Sequence, residues 1–207
     1  MLLETIKVGE LETNCYIFGD KNGEAVVIDP GDNADVIMQN VNKHNCTIKY
    51  IVLTHGHFDH IGAVAALKKQ TQAKVIIHEL DADCLTDATR NLSYYMGMPE
   101  IQIEADSVIK EGEIIEAGNR KLTVIHTPGH TAGSICLKAE EMLFSGDTLF
   151  KESAGRTDLP GGSSKQIMES INEKLMKLDD AMLVYPGHSE CSTIGYERKH
   201  NPFVEKC

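Results

Sequence analysis

The chain opens with an alternating apolar and polar run, Leu2 to Val8. A second apolar run covers Asn14 to Phe18, and a third, Glu24 to Ile28, stops at Asp29-Pro30-Gly31. Short apolar stretches closed by turn residues predict strands. Val36, Ile37 and Val41 then fall at helical spacing, which predicts a helix over Ala34 to His44. Tyr50 to Leu53 is apolar throughout, as in a strand buried on both faces. Ile61, Val64, Ala65 and Leu67 return to helical spacing and predict a helix over Ile61 to Lys69, followed by a strand at Lys74 to Ile77. Residues 79–107 give the weakest pattern, read as two helical pieces that flank Gly97-Met98-Pro99 and line the site. Further strands are predicted at Ile114 to Glu116, Leu122 to His126, Ser134 to Leu137, Met142 to Phe144 and Met182 to Tyr185. Between the last two, Ile167, Ile171, Leu175 and Leu178 predict a helix over Ser163 to Leu178, capped by Ser163 or Ser164. No low-complexity linker or fixed-period repeat interrupts the series. The pattern reads as one α/β domain over 1–207, with two sheets or a large mixed sheet covered by helices.

Composition narrows the functional classes. At 207 residues, 42% apolar and 25% charged, the chain has the balance of an ordinary soluble globular protein. No apolar run reaches the length of about 20 residues that a spanning helix needs. The N-terminus lacks the marks of a secretion signal, so a cytoplasmic location is expected. A net charge of −11 argues against nucleic acid and membrane surfaces as partners and leaves a small-molecule substrate. The six cysteines (Cys15, Cys46, Cys84, Cys136, Cys191 and Cys207) form no C-x-x-C pair and are read as free thiols. Cys15 and Cys136 fall in strand patterns and are expected in the core.

The chemistry is carried by histidine and aspartate. Thr54-His55-Gly56-His57-Phe58-Asp59-His60 follows the apolar run Tyr50 to Leu53 and leads into a helix. Residues two apart in extended chain point the same way, so His55 and His57 converge, and the turn into the helix brings Asp59 and His60 round to them. A match to H-x-H-x-D-H arises by accident in about one chain in a thousand of this composition. His130 in Pro128-Gly129-His130, Asp147 in Ser145-Gly146-Asp147 and His188 in Pro186-Gly187-His188 each leave a predicted strand on a glycine turn. Glycine permits the close backbone approach that a crowded site needs. Five imidazoles and two carboxylates without a thiolate suit zinc, iron or manganese in a catalytic site better than a structural zinc. Seven ligands divide into two sites that share a carboxylate. Asp59 and Asp147, the two carboxylates, are assigned to catalysis as well as to metal binding. His78 and His126, at predicted strand ends, are expected to be hydrogen-bonded or surface histidines.

These motifs, T-H-G-H-F-D-H (54–60), T-P-G-H-T (127–131), S-G-D-T-L-F (145–150) and P-G-H (186–188), resemble the metallo-β-lactamase superfamily in kind and order. Within it the chain looks most like the short, glyoxalase II-like hydrolases, whose style also marks Gly155 to Gly162 and Thr193 to Arg198. The resemblance implies a four-layer αββα sandwich. It implies that His55, His57 and His130 hold one divalent ion, that Asp59, His60 and His188 hold a second, and that Asp147 bridges them. Zinc is the leading metal, with iron or manganese as alternatives. Asp29 matches a family aspartate that supports the site from behind. The expected reaction is hydrolysis by a metal-bridging hydroxide, generated because two cations about 3.5–4 Å apart lower the pKa of a shared water. The expected substrate is a thioester of the hydroxyacylglutathione type.

Arg156 matches the basic residue that contacts glutathione in glyoxalase II. Asp158 stands where glyoxalase II usually carries tyrosine, and its C-terminal helical domain is expected to be absent. Both departures remove glutathione contacts. Two alternatives share the fold: a mononuclear iron persulfide dioxygenase, and a lactonase or other hydrolase of the superfamily.

Overall fold

Two six-stranded sheets organise residues 1–97 and 101–205, which a computed structural model describes. In the first sheet the strands lie side by side in chain order: β1 (Leu2–Val8), β2 (Thr13–Gly19), β3 (Glu24–Ile28), β4 (Thr47–Val52), β5 (Lys74–His78) and β6 (Ser107–Ile109). The first three pair antiparallel, and β3 to β6 are parallel. Parallel pairing requires crossovers. α1 (Ala34–Lys43) supplies the first, and α2 (Phe58–Ile61) with α3 (Val64–Thr71) the second. The second sheet contains β7 (Ile114–Ala117), β8 (Arg120–His126), β9 (Ile135–Ala139) and β10 (Met142–Gly146). A small hairpin, β11 (Leu149–Phe150) and β12 (Ser153–Ala154), and helix α4 (Ser164–Glu169) follow. β13 (Leu183–Pro186) then returns parallel to β10, β14 (Ser192–Thr193) forms the edge, and α5 (Ile194–His200) follows it.

Three apolar cores separate four layers. Side chains alternate along a strand, so fully buried β2 sends Cys15 and Ile17 outward against α1 and α3, and Tyr16 and Phe18 inward against Leu137 and Phe144 of the second sheet. The far face of the second sheet packs Leu143 and Val184 against Ile167, Ile171, Leu175 and Ile194. The result is the expected αββα sandwich, with Cys15 and Cys136 in the core. The five cysteines among the described residues are free, and Cys207 lies outside those residues.

Some local expectations needed correction. The helix expected over Ile61 to Lys69 is two helices, because the Ala63 amide donates to Pro30 O at 2.9 Å instead of continuing the helical ladder. The segment from Ser163 starts as expected, with Ser163 Oγ accepting from the Gln166 amide. It then loosens into a π turn (Ser170–Lys174) and a 3-10 turn (Leu175–Lys177). Among the described residues of 79–107 there is one 3-10 helix, Glu79–Leu85, rather than two helical pieces; Met98 and Pro99 of the expected hinge lie outside the described residues. The buried Asn91 amide donates to Cys84 O and Ile101 O, so side-chain bonds replace a helical ladder here.

Candidate metal centre

All seven candidate ligands follow the carboxyl ends of strands, where α/β folds place their sites. His55 and His57 leave β4, and α2 then carries Asp59 and His60. His130 lies on the turn from β8 to β9, Asp147 on the exit of β10, and His188 on the exit of β13. Two glycines make the crowding possible. A Cβ on Gly187 would sit 2.2 Å from Asp147 Oδ1, and one on Gly146, at φ +48°, 2.4 Å from Thr54 Oγ1.

The side chains meet in overlapping groups: His55 with His57 and His130, His55 with His60 and Asp147, and Asp59 with His60 and His188. His57 Nδ1 and His130 Nε2 are 2.9 Å apart, and His60 Nε2 and His188 Nε2 are 3.3 Å apart. Asp147 spans the groups: Oδ1 lies 3.4 Å from His60 Nε2, and Oδ2 lies 3.6 Å from His130 and 3.7 Å from His188. The chain orients the rings from behind. His130 Nδ1 donates to Arg156 O at 2.8 Å and His188 Nδ1 to Leu11 O at 3.1 Å, while His60 Nδ1 faces Asp29 Oδ2 at 3.0 Å. The carbonyl contacts of His130 and His188 fix Nδ1 as the donor and turn Nε2 to the shared space. Asp29, buried at φ +50°, also accepts from Thr54 N (2.8 Å) and Thr54 Oγ1 (2.6 Å).

Electrostatics fit a cation. His55 Nε2 and Asp147 Oδ1 are buried without a hydrogen-bond partner, a costly state for groups turned towards one another's donor atoms. Burial drives the His55 imidazole well below its ordinary pKa and takes His57 down to about 3, so both stay neutral and offer lone pairs. Burial also opposes charge on His60, but Asp59, Asp147 and Asp29 outweigh it and push its pKa up to about 10. Burial works against the Asp59 carboxylate as well, yet His60 and His188 hold it below the usual carboxylate range. A buried cluster that gathers three carboxylates around imidazoles holds positive charge, whether as protons or as a metal ion.

Phe58 and Met96 flank a cavity of about 530 Å³ over His57, His130, Asp147 and His188, with Leu11, Leu92 and Leu159 among its apolar walls. Leu92, Tyr95 and Met96 bear out the expectation that residues 79–107 line the site. Arg156 is the cation on this wall. It is held in a bidentate pair with Asp158, Nε to Oδ1 at 2.7 Å and Nη2 to Oδ2 at 2.8 Å, and both side chains are largely exposed. His78 and His126 lie apart from the cluster and stack on each other at 4.1 Å. Sequence reasoning missed Asp81, a buried carboxylate behind the ligand turns, because it lies in the segment with no clear periodicity.

Fold and donor set together define an enzyme class that works through divalent metal ions. The chain belongs to the metallo-β-lactamase superfamily, whose pattern matches residues 8–188. Hydroxyacylglutathione hydrolase GloC of Haemophilus influenzae is 33% identical over 208 residues, covering 99% of this chain and 98% of that protein. Among solved structures, BLEG-1 B3 metallo-β-lactamase is 37% identical with a TM-score of 0.92, covering 98% of this chain and 99% of that one. TTHA1623 in a di-iron-bound form is 33% identical with a TM-score of 0.87, covering 97% and 99%. No helix among the described residues is long and apolar enough to cross a membrane.

Proposed function

We propose that this chain is a dinuclear metal-dependent hydrolase of small-molecule thioesters of the hydroxyacylglutathione type. His55, His57 and His130 would hold one divalent ion, Asp59, His60 and His188 the other, and Asp147 would serve both. The observation that carries the reading is the convergence of unpartnered donor atoms, His55 Nε2 and Asp147 Oδ1, on the space shared by the other ligands. An all-nitrogen and oxygen donor set suits zinc, iron or manganese; the family resemblance puts zinc first, and the di-iron-bound form of TTHA1623 supports keeping iron among the candidates. When bound, such a pair supplies a water of lowered pKa and a Lewis-acid pole for a carbonyl oxygen.

The chain's own residues do the rest. His55 and His57 stay neutral through burial and are available as ligands without losing a proton. Asp29 and Thr54 lock the loop that carries them, and Asp59 and Asp147 supply the negative charge that retains the cations. The apolar cavity walls exclude water and hold the acyl group by contact. Arg156 lies at the cavity rim, where a substrate carboxylate must compete with Asp158 for its guanidinium. A thiolate leaves readily, so no strong general acid is required. The GloC relative supports a glutathione thioester as the first substrate to assay.

The test is hydrolysis of S-D-lactoylglutathione by the wild type and by His57→Ala. Turnover that disappears in the variant supports the reading. Metal-replete wild type without turnover on this or other thioesters overturns it. A single iron with oxygen uptake on a persulfide would place the chain in a different reaction class.

A further inference from the structure

The 3-10 helix Glu79–Leu85 presses its backbone against both turns that carry the ligands of the proposed first ion. A Cβ on Gly56, between His55 and His57, would stand 2.4 Å from Cys84 Cβ. One on Gly133, three residues after His130, would stand 2.6 Å from Asp81 Cγ. Glycine at both places lets Asp81 reach between the turns. Its carboxylate is 1% exposed and accepts three hydrogen bonds there. Oδ2 takes the Gly56 amide at 3.2 Å and the Thr131 hydroxyl at 2.7 Å, and Oδ1 takes the Gly133 amide at 2.7 Å. Burial raises the pKa of this carboxyl, and the three donors from the two ligand turns oppose that rise. These three hydrogen bonds go to the turns and not to any of the seven ligand side chains, and the sites proposed above do not use Asp81.

From this clamp we infer that Asp81 is a positioning residue: it fixes the spacing between the His55–His57 loop and the His130 turn, and so sets the affinity of the first metal ion. The inference rests on the dinuclear reading above. Asparagine is nearly isosteric, but its amide accepts on one side only and turns an N–H towards a donor on the other. Asp81→Asn therefore loosens one turn without removing volume. Loss of a residue that orients metal ligands typically lowers metal affinity by about 10–100-fold.

Co(II) titration of the metal-free protein, followed by visible d–d absorption, reads the two sites separately from catalysis. The wild type is expected to take up two equivalents. Asp81→Asn is expected to weaken one of them about 10–100-fold, with an altered spectrum, and to leave the other unchanged. Thr131→Val, which removes a single donor to Asp81, is expected to weaken the same site by a smaller factor and remains informative if Asp81→Asn fails to fold. Asp81→Glu, which restores the charge with a longer arm, is expected to recover part of the affinity. Unchanged Co(II) affinity and spectrum in a folded Asp81→Asn or Thr131→Val protein overturns the inference, whatever the change in thermal stability. No Co(II) binding by the wild type overturns the dinuclear reading itself.

Discussion

Asp147 has almost no room to move. Gly187 faces its Oδ1, and the backbone of Gly155 runs so close that an added Cβ would meet Asp147 O at 1.9 Å. Gly187→Ala is therefore expected to displace the carboxylate and cost at least one metal ion per chain, read by elemental analysis of the folded variant. Arg156 makes the opposite case, a residue held back by a neighbour that can be removed. Its pair with Asp158 is exposed and worth little in stability, so Asp158→Asn should leave thermal unfolding nearly unchanged. If a glutathione carboxylate uses Arg156, the same change should lower KM for S-D-lactoylglutathione by about two- to five-fold at constant kcat, the size expected of one exposed ion pair. At this scale the residues that converge on the candidate centre were legible in the sequence, because histidine and aspartate at fixed spacing on glycine turns have few other uses. Asp81 was not: a lone aspartate in His78-Glu79-Leu80-Asp81 carries no period, cap or turn signal, and its partners are 25, 50 and 52 residues away.

Elements were legible where one face or both are buried. β1 and β3 have the bounds that alternation and the Asp29-Pro30-Gly31 stop assign to them. β11, β12 and β14 are two residues each, too short to show any period. Helix α5 also escapes the pattern. It is seven residues long with Gly195 inside it, and side-chain hydrogen bonds hold it: Thr193 Oγ1 accepts from the Tyr196 amide, and buried Glu197 accepts from Asn201 and Ser192. α3 rests instead on apolar contact, with Leu67 only 1% exposed in the outer core. Leu67→Ala is expected to cost about 2–5 kcal/mol in urea unfolding through the cavity it leaves, while metal content per folded chain stays unchanged. A parallel loss of metal would show that α3 does more than cover the sheet.

Across the whole molecule, two groups of histidines in the candidate centre bend the pH dependence of the metal-free protein in opposite directions. His60 and His188 have pKa values raised above the ordinary 6.5, His60 to about 10, so their stabilisation is complete below 6.5 and is lost as pH rises through the raised values. His55 and His57 are depressed, His57 to about 3, so their contribution is present above 6.5 and is lost as pH falls through the lowered values. Thermal unfolding of the metal-free protein is expected to peak in stability near pH 6.5 and to decline on both sides. Metal loading should flatten the alkaline side, because cations then replace the protons on His60 and His188; an alkaline decline that persists with metal would place those two histidines outside the metal site. The most direct test of the dinuclear centre is the metal content of purified wild type and His57→Ala by elemental analysis. Two divalent ions per wild-type chain, falling to one or none in the variant, are expected. One ion or none in the wild type, or a content that His57→Ala leaves untouched, would contradict it.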